Sequence, residues 1–153
     1  MPRTDRAFLI VAAPLEAAYA ALIDPVALCA WVPPGNMTGK IERFDLRPGG
    51  SYRMVLRYPS SSASQGKTTS DTDVVEARFV DIVPNVKVVL AVDFVSNDPA
   101  YDSTMVMTWR VTKVDGGTRI EVTADDVPDV VPEEDHAAGL RSSLAKLTEY
   151  LAG

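Results

Sequence analysis

His136 is the only histidine in the sequence, and histidine is the side chain best suited to exchange protons near neutral pH. It stands one helical turn before Leu140, in a segment with leucines at helical spacing, so its ring is expected to point toward the same face as those leucines. This position makes His136 the candidate catalytic residue, as a general acid or base. A structural role is the alternative, with the ring packed or hydrogen-bonded locally near the start of a helix.

Metal and cofactor chemistry finds little support in the sequence. One histidine and one cysteine, Cys29, cannot supply a zinc site of the usual composition. Acidic residues do gather around the start of the same segment: Asp125, Asp126, Asp129, Glu133, Glu134 and Asp135. Negative charge at a helix N-terminus is stabilised by the helix dipole, and the spacing lacks the regular oxygen donors of a calcium loop. We therefore predict no metal and no cofactor.

Four arginines, Arg53, Arg57, Arg78 and Arg110, stand in segments with the alternation of strands. By that alternation most of them face solvent, where they could pair with glutamates such as Glu76 or Glu121, while one facing inward could bind a ligand carboxylate. The pairs Gly49-Gly50 and Gly116-Gly117 do not stand at the start of a helix with the spacing of a Walker motif. They are therefore predicted to be turns rather than phosphate-binding loops.

The C-terminal segment from Pro132 to Leu151 positions the histidine. Its leucines at helical spacing form one stripe of a long amphipathic helix: Leu140, Leu144, Leu147 and Leu151. Because nearly everything between Lys40 and Ala124 has the alternation of strands, this stripe is expected to close over a sheet. The space between the helix and the sheet is then either a solid core or a cavity.

The N-terminal part predicts one strand and two short helices. Phe8 to Ala12 is an apolar strand, and Pro14 suits the first turn of a helix that runs to Ile23. Asp24 is then an N-cap, and Pro25 opens a second short helix toward Trp31.

Three hairpins follow, each with a turn of glycine, proline or asparagine between two strands. Their strands are predicted at Ile41 to Leu46 and Ser51 to Tyr58, at Asp73 to Val83 and Val86 to Phe94, and at Thr104 to Val114 and Thr118 to Ala124. The tract from Pro59 to Asp71 has little to bury and is predicted to be a mobile loop. The fold class is therefore α+β: a curved antiparallel sheet of about seven strands wrapped around a long C-terminal helix.

Alternation also gives a set of inward-facing side chains that either fill a core or line a pocket. Together with two helix residues they are the predicted ligand-binding residues: Tyr52, Met54, Tyr58, Phe79, Met105, Met107, Trp109, His136 and Leu140. Methionines and aromatic rings with a polar tip suit irregular apolar ligands.

Composition limits the classes of partner and compartment. The 153 residues fit one domain, and a net charge of −6 argues against a nucleic acid. Cys29 is read as a small buried hydrophobe, which suits a reducing compartment. The apolar run from Ala7 to Ile23 is interrupted by Pro14 and Glu16, so we read it as part of the fold and expect no signal peptide, no membrane partner and a cytoplasmic location.

Taken in order, several local motifs resemble the SRPBCC superfamily, which has the START-like or helix-grip fold, and within it the family of the C-terminal domain of the activator of heat-shock protein 90 ATPase. The pieces are Ala13-Pro14 with Tyr19, Asp24-Pro25 with Trp31, Arg47-Pro48-Gly49-Gly50-Ser51-Tyr52-Arg53, Phe79-Val80-Asp81-Ile82-Val83-Pro84, Gly116-Gly117-Thr118, and Gly139 with Leu144, Leu147 and Leu151. One departure is local: many relatives have tryptophan after the glycine of the last helix, whereas here Leu140 follows Gly139. A smaller side chain there is expected to reshape the pocket.

The resemblance implies a space between sheet and helix that holds lipids, steroids, polyketides or other apolar molecules, in some members with catalysis. The leading hypothesis is a domain that binds a small apolar or amphipathic molecule there, with His136 or an arginine fixing a polar end. The alternative is a polyketide cyclase-like or hydratase-like enzyme that uses His136 as acid or base. A buried His136 ring that reaches the cavity next to Tyr52, Tyr58 or an inward-facing arginine would favour it. A third reading is a chaperone-linked or homodimeric interaction domain, marked by a broad apolar patch on the outer sheet face.

Overall fold

The computed structural model describes residues 3–33, 36–58, 72–95, 104–128 and 131–152. In these ranges the chain forms seven strands and three helices. Their order is β1 (Arg3–Val11), α1 (Leu15–Ile23), α2 (Pro25–Trp31), β2 (Thr38–Phe44), β3 (Ser51–Arg57), β4 (Thr72–Val83), β5 (Lys87–Val95), β6 (Met105–Val114), β7 (Gly117–Val127) and α3 (Glu133–Ala152).

All seven strands belong to one antiparallel sheet in the order β1-β7-β6-β5-β4-β3-β2. The three predicted hairpins are neighbours in this order, and β1 adds to the free side of β7, so that β1 and β2 are the two edges. Helix α3 packs against β1 and α2, and its stripe is buried at Leu140, Leu144 and Leu147. The predicted helix-grip architecture is confirmed.

The two short helices start where the sequence predicts. The side chain of Asp24 accepts a 2.8 Å hydrogen bond from the backbone N–H of Val26, and Pro25 occupies the first turn of α2, where a missing N–H costs nothing. Helix α2 is fixed to α1 by Trp31, whose indole N–H donates to the carbonyl of Ala21 at 2.8 Å.

Residues with positive φ close the turns between paired strands. Gly49 has a φ of 87° before β3, Asn85 a φ of 61° between β4 and β5, and Gly116 a φ of 82° between β6 and β7. Glycine and asparagine reach this left-handed region at low cost, which is why the turns fall at these points. The loop predicted from Pro59 to Asp71 lies outside the described residues.

Strand β1 begins at Arg3, five residues earlier than the sequence predicts. Its ladder with β7 runs from the pair Arg3 and Val127 to the pair Val11 and Thr118, with an irregularity between Arg3 and Asp5. The prediction missed residues 3–7 because Arg3, Asp5 and Arg6 interrupt the apolar pattern that is typical of a strand. The extension puts Asp5 on the inner face of the sheet, where it is 7% exposed.

Candidate functional site

An apolar pocket of about 180 Å³ lies between the inner face of the sheet and the helices. Four strands and all three helices contribute to its wall: Leu22, Leu28, Trp31, Val32, Tyr52, Leu56, Val75, Leu90, Val92, Met105, Met107, Trp109, His136, Gly139, Leu140 and Ser143. Its aliphatic and aromatic members give an apolar surface with few polar atoms. Small-molecule sites in proteins commonly have this character.

Six of the nine predicted ligand-binding residues meet in this wall: Tyr52, Met105, Met107, Trp109, His136 and Leu140. The other three do not line it. Met54 and Phe79 are each 1% exposed and belong to the core behind the wall, while Tyr58 donates a 2.8 Å hydrogen bond to Asp73. Contact of any of the nine with a ligand stays a prediction.

Two groups of aromatic rings make the wall rigid. Trp31 of α2 meets Trp109 of β6 edge to face, with ring centroids 4.8 Å apart and planes at 71°. On the other side, Phe44, Tyr52 and Phe79 form a cluster with centroids about 6 Å apart. Such pairs add favourable contact beyond the area they bury, so they hold the wall in one shape.

His136 is anchored by a carboxylate from the opposite end of the chain. Its Nδ1 lies 2.6 Å from Oδ2 of Asp5, and the side chains of His136 and Asp5 are only 15% and 6% exposed. Oδ1 of Asp5 in turn accepts a 3.0 Å hydrogen bond from Nε of Arg3. Burial works to raise the pKa of Asp5, but the hydrogen bonds and charges of Arg3 and His136 outweigh it and lower that pKa below 3.8.

This pairing determines what the imidazole can do. An ionised Asp5 only accepts hydrogen bonds, so Nδ1 of His136 must carry the proton between them. In the neutral ring Nε2 is then an acceptor, and no hydrogen bond from the described residues occupies it. His136 thus presents an oriented basic nitrogen, which a general base requires.

Sequence reasoning missed Asp5 as the partner of His136. The alternation of β1 could have revealed it, because Asp5, Ala7, Leu9 and Val11 share one face of that strand. The predicted strand started at Phe8, so Asp5 was not assigned to the inner face. The local alternative for His136 also did not foresee a partner 131 residues away.

Tyr52 of β3 is the second polar group of the wall. It is 5% exposed, and burial raises the pKa of its hydroxyl to about 12, with a smaller contribution from the nearby Cys29. Among the described residues none forms a hydrogen bond with this hydroxyl. Tyr52 therefore stays protonated and keeps a donor unused.

Helix α3 is held at a fixed height above the pocket by two contacts with the segment after α2. Oγ of Ser143 donates to the carbonyl of Val32 at 2.9 Å, and Nζ of Lys146 donates to the carbonyl of Pro33. Partial burial lowers the pKa of Lys146. These bonds satisfy carbonyls at the end of α2, where a helix leaves them without partners.

The four strand arginines do not line the pocket. Arg53 lies on the outer face, where it bonds Glu76 at 2.8 Å and Glu42 at 3.1 Å, and these partners raise its pKa. Arg57, Arg78 and Arg110 are exposed. Among the predicted acidic partners Glu76 is thus confirmed, whereas Glu121 pairs with Arg119 at 3.3 Å.

In the part of the chain that the structure describes, no three histidine, cysteine or acidic side chains come together as metal ligands. Asp125 instead accepts a 2.8 Å hydrogen bond from Thr4, and the acidic residues in the first turn of α3 are exposed. Solvation and the helix dipole account for them.

A larger depression of about 390 Å³ lies at the start of α1, beside the turn between β6 and β7. Its charged residues, Glu16 and Lys113, are exposed, and its wall lacks His136 and Tyr52. Greater volume alone does not make it the better candidate, because the oriented and unpaired polar groups lie in the smaller pocket.

The sequence matches the model of one protein family over residues 12–152, which is nearly the whole chain. That family is described as "Activator of Hsp90 ATPase homolog 1-like protein". The chain is a member of this family. His136 lies within the span that matches the family, whereas Asp5 precedes it.

Solved structures share the family member's fold. Protein CV1439 from Chromobacterium violaceum is 26% identical, with a TM-score of 0.87 over 100% of this chain and 99% of that one. A protein from Rhodobacter sphaeroides is 21% identical, with a TM-score of 0.77 over 97% and 92%. Protein Ms6760 from Mycobacterium smegmatis is 18% identical, with a TM-score of 0.78 over 97% and 90%. Among curated proteins none matches this sequence.

None of the described helices combines the length and the apolar composition needed to cross a lipid bilayer.

Proposed function

We propose that this protein binds a small apolar or amphipathic molecule in the pocket between the sheet and α3. The observation that carries the proposal is the pocket itself: an apolar wall beneath α3 that carries a few polar groups, among them His136 and Tyr52. Family membership and the helix-grip fold agree with a ligand-binding domain.

The volume limits the size of the occupant. A buried apolar cavity of about 150 Å³ is enough to bind benzene, whereas drug-sized ligands occupy roughly 300–1,000 Å³. At about 180 Å³ the pocket suits a molecule of one or two rings, or a short acyl chain.

Gly139 offers a direct test of occupancy. It lies in the pocket wall on α3, and a Cβ added to it meets no atom within 4 Å. A Gly139→Leu side chain should therefore fill part of the pocket, while Gly139→Ala adds one methyl group. Because glycine inside a helix costs roughly 0.5–1 kcal/mol relative to alanine, Gly139→Ala should be at least as stable as the parent.

The measurement is ligand-observed NMR with acetophenone, a one-ring ketone, added to the three proteins. The parent and Gly139→Ala are expected to bind the probe, and Gly139→Leu is expected to lose binding while it remains folded by circular dichroism. Equal binding by Gly139→Leu, or no binding by the parent, would contradict the proposal.

A second candidate function is general acid–base catalysis by His136, favoured by the 2.6 Å contact with Asp5 and by the place of the ring in the wall. Nε2 would remove a proton from the carbon next to a ligand carbonyl, so that the C–H bond breaks and its electron pair moves to the carbonyl oxygen. The carbon would then regain a proton from solvent as the carbonyl forms again.

This candidate predicts hydrogen–deuterium exchange at the methyl group of acetophenone in D₂O, followed by NMR. Exchange should be faster with the parent protein than in buffer, and at least about tenfold slower with His136→Asn than with the parent. The same rate with and without protein would remove the enzymatic candidate and leave binding untouched.

The third interpretation, an interaction domain, lacks its expected sign on the described part of the sheet. Phe8 and Ile10 are exposed on β1 and Val80 on β4, but three strands separate them, so they form no broad patch. The ring of Phe8 also has the Arg119 guanidinium 4.1 Å above its centre. A homodimer stays a prediction that sedimentation can test.

A further inference from the structure

Tyr52 carries a buried donor, its hydroxyl, with which none of the described residues forms a hydrogen bond. Its ring is held between Phe44 and Phe79, with centroids 6.0 Å and 5.8 Å away, so the side chain has little freedom to turn toward another partner. The described atoms that are fully enclosed and unpartnered do not include this hydroxyl. It therefore keeps some accessible surface, and Tyr52 is one of the residues that line the pocket.

A hydroxyl without a partner in an apolar wall is costly, because it loses the hydrogen bonds that water would give it. In an empty pocket water can supply them. A ligand that displaces this water must either replace its hydrogen bond or leave the hydroxyl unpaired. A hydrocarbon incurs that penalty, whereas a ligand with an oxygen acceptor at the same point avoids it.

The charges of the pocket wall also indicate whether the acceptor group of the ligand is charged or neutral. None of the described residues that line the pocket is lysine or arginine, and Arg53 on the same strand points to the outer face. Burial keeps Tyr52 in its neutral form. A carboxylate placed against Tyr52 would lose its hydration without gaining a counterion, so the matching acceptor is uncharged.

We infer that Tyr52 selects, among small apolar molecules, those that carry a neutral oxygen acceptor such as a ketone carbonyl. This inference rests on the proposed function, since it assigns the ligand class of the same pocket. It also gives different roles to two residues at different places on the sheet. Tyr52 on β3 donates a hydrogen bond to the neutral oxygen, and His136 near β1 presents an oriented ring nitrogen.

The test compares two probes of nearly equal shape. Acetophenone carries a carbonyl oxygen at the position where α-methylstyrene carries a methylene group. Dissociation constants are measured by NMR titration for the parent, Tyr52→Phe and Tyr19→Phe. Tyr19→Phe is the matched control, because its buried hydroxyl bonds the carbonyl of Lys87 and does not line the pocket. Benzoate serves as the charged probe.

The parent and Tyr19→Phe are expected to bind acetophenone about tenfold more tightly than α-methylstyrene, as the cost of one unpaired buried hydroxyl implies. Tyr52→Phe should bind both probes equally, and benzoate should bind the parent more weakly than acetophenone. Equal affinities in the parent, a preference that survives in Tyr52→Phe, or tighter binding of benzoate would overturn the inference while leaving a binding pocket. Binding of neither neutral probe would overturn the proposed function itself.

Discussion

Two polar groups of the pocket wall, His136 and Tyr52, differ in how the fold treats them. On the β1 side, Asp5 binds both Arg3 and His136, so that its carboxylate oxygens are paired inside the protein. On the β3 side, with four strands of the sheet in between, Tyr52 is just as buried but has no partner among the described residues. On the β1 flank the carboxylate oxygens of Asp5 are bonded, while Nη2 of Arg3 is buried without a hydrogen-bond partner in the described part of the chain; on the β3 flank the group without a bond is the Tyr52 hydroxyl.

This difference separates stability from recognition. A paired buried group stabilises the fold, and its removal leaves the partner unsatisfied. An unpaired group contributes no bond to the folded protein, so its removal should cost little stability and show itself in ligand selectivity. Substitutions at the two flanks can therefore break or sharpen the contrast.

The largest effect is expected for Asp5→Asn. The change removes the charge that binds Arg3 and His136, which leaves two partly buried nitrogen groups with a weaker acceptor. We expect a loss of about 2 kcal/mol in the free energy of unfolding at neutral pH, as for hydrogen bonds to charged groups. Urea denaturation measures it.

Thr4→Val is the matched control for Asp5→Asn. Thr4 lies on the same strand but faces outward, and its hydrogen bond to Asp125 is exposed. Its removal should change the free energy of unfolding by less than about 0.5 kcal/mol. If Asp5→Asn were as mild as Thr4→Val, the Asp5–His136 pair would have no structural role.

The contribution of the Asp5 carboxylate to the free energy of unfolding should depend on pH. Burial opposes ionisation of Asp5, but Arg3 and His136 more than compensate and lower its pKa below the ordinary 3.8. A carboxyl with a lower pKa in the folded state contributes stability above its unfolded pKa and loses it as pH falls through the folded value. The stability gap between the parent and Asp5→Asn should thus narrow from about pH 5 downward.

Unfolding free energies of both proteins between about pH 6 and pH 3 test this. The steeper decline should belong to the parent, because the amide that Asp5→Asn introduces does not titrate. A gap that stays constant across this range would mean that the Asp5 carboxyl has the same pKa in the folded and unfolded chains.

The sequence predicted the elements better than it predicted the site. Periodicity and capping residues gave the helix types, the hairpins and the α3 stripe, because these follow from contacts between near neighbours. Alternation identified the inner face of the sheet but not which of its residues line the pocket. Met54 and Tyr52 share that face, yet Met54 is packed in the core and Tyr52 lines the pocket. Which residues stay uncovered depends on where α3 rests, and long-range bonds such as that of Ser143 to Val32 fix its position.

The contrast between paired and unpaired groups is sharpest in two tyrosines whose side chains are similarly enclosed, although the hydrogen bond of the Tyr19 hydroxyl is only partly buried. Tyr19 and Tyr52 are 4% and 5% exposed, and burial raises the pKa of both, but only Tyr19 donates to a carbonyl, that of Lys87 at 3.2 Å. Tyr19→Phe removes that hydrogen bond and should cost about 1 kcal/mol, or about 2–4 °C in Tm by calorimetry. Tyr52→Phe removes an unsatisfied hydroxyl and should leave Tm unchanged or higher. A loss of Tm as large as that of Tyr19→Phe would mean that the fold already uses the Tyr52 hydroxyl, which would then not be free for a ligand.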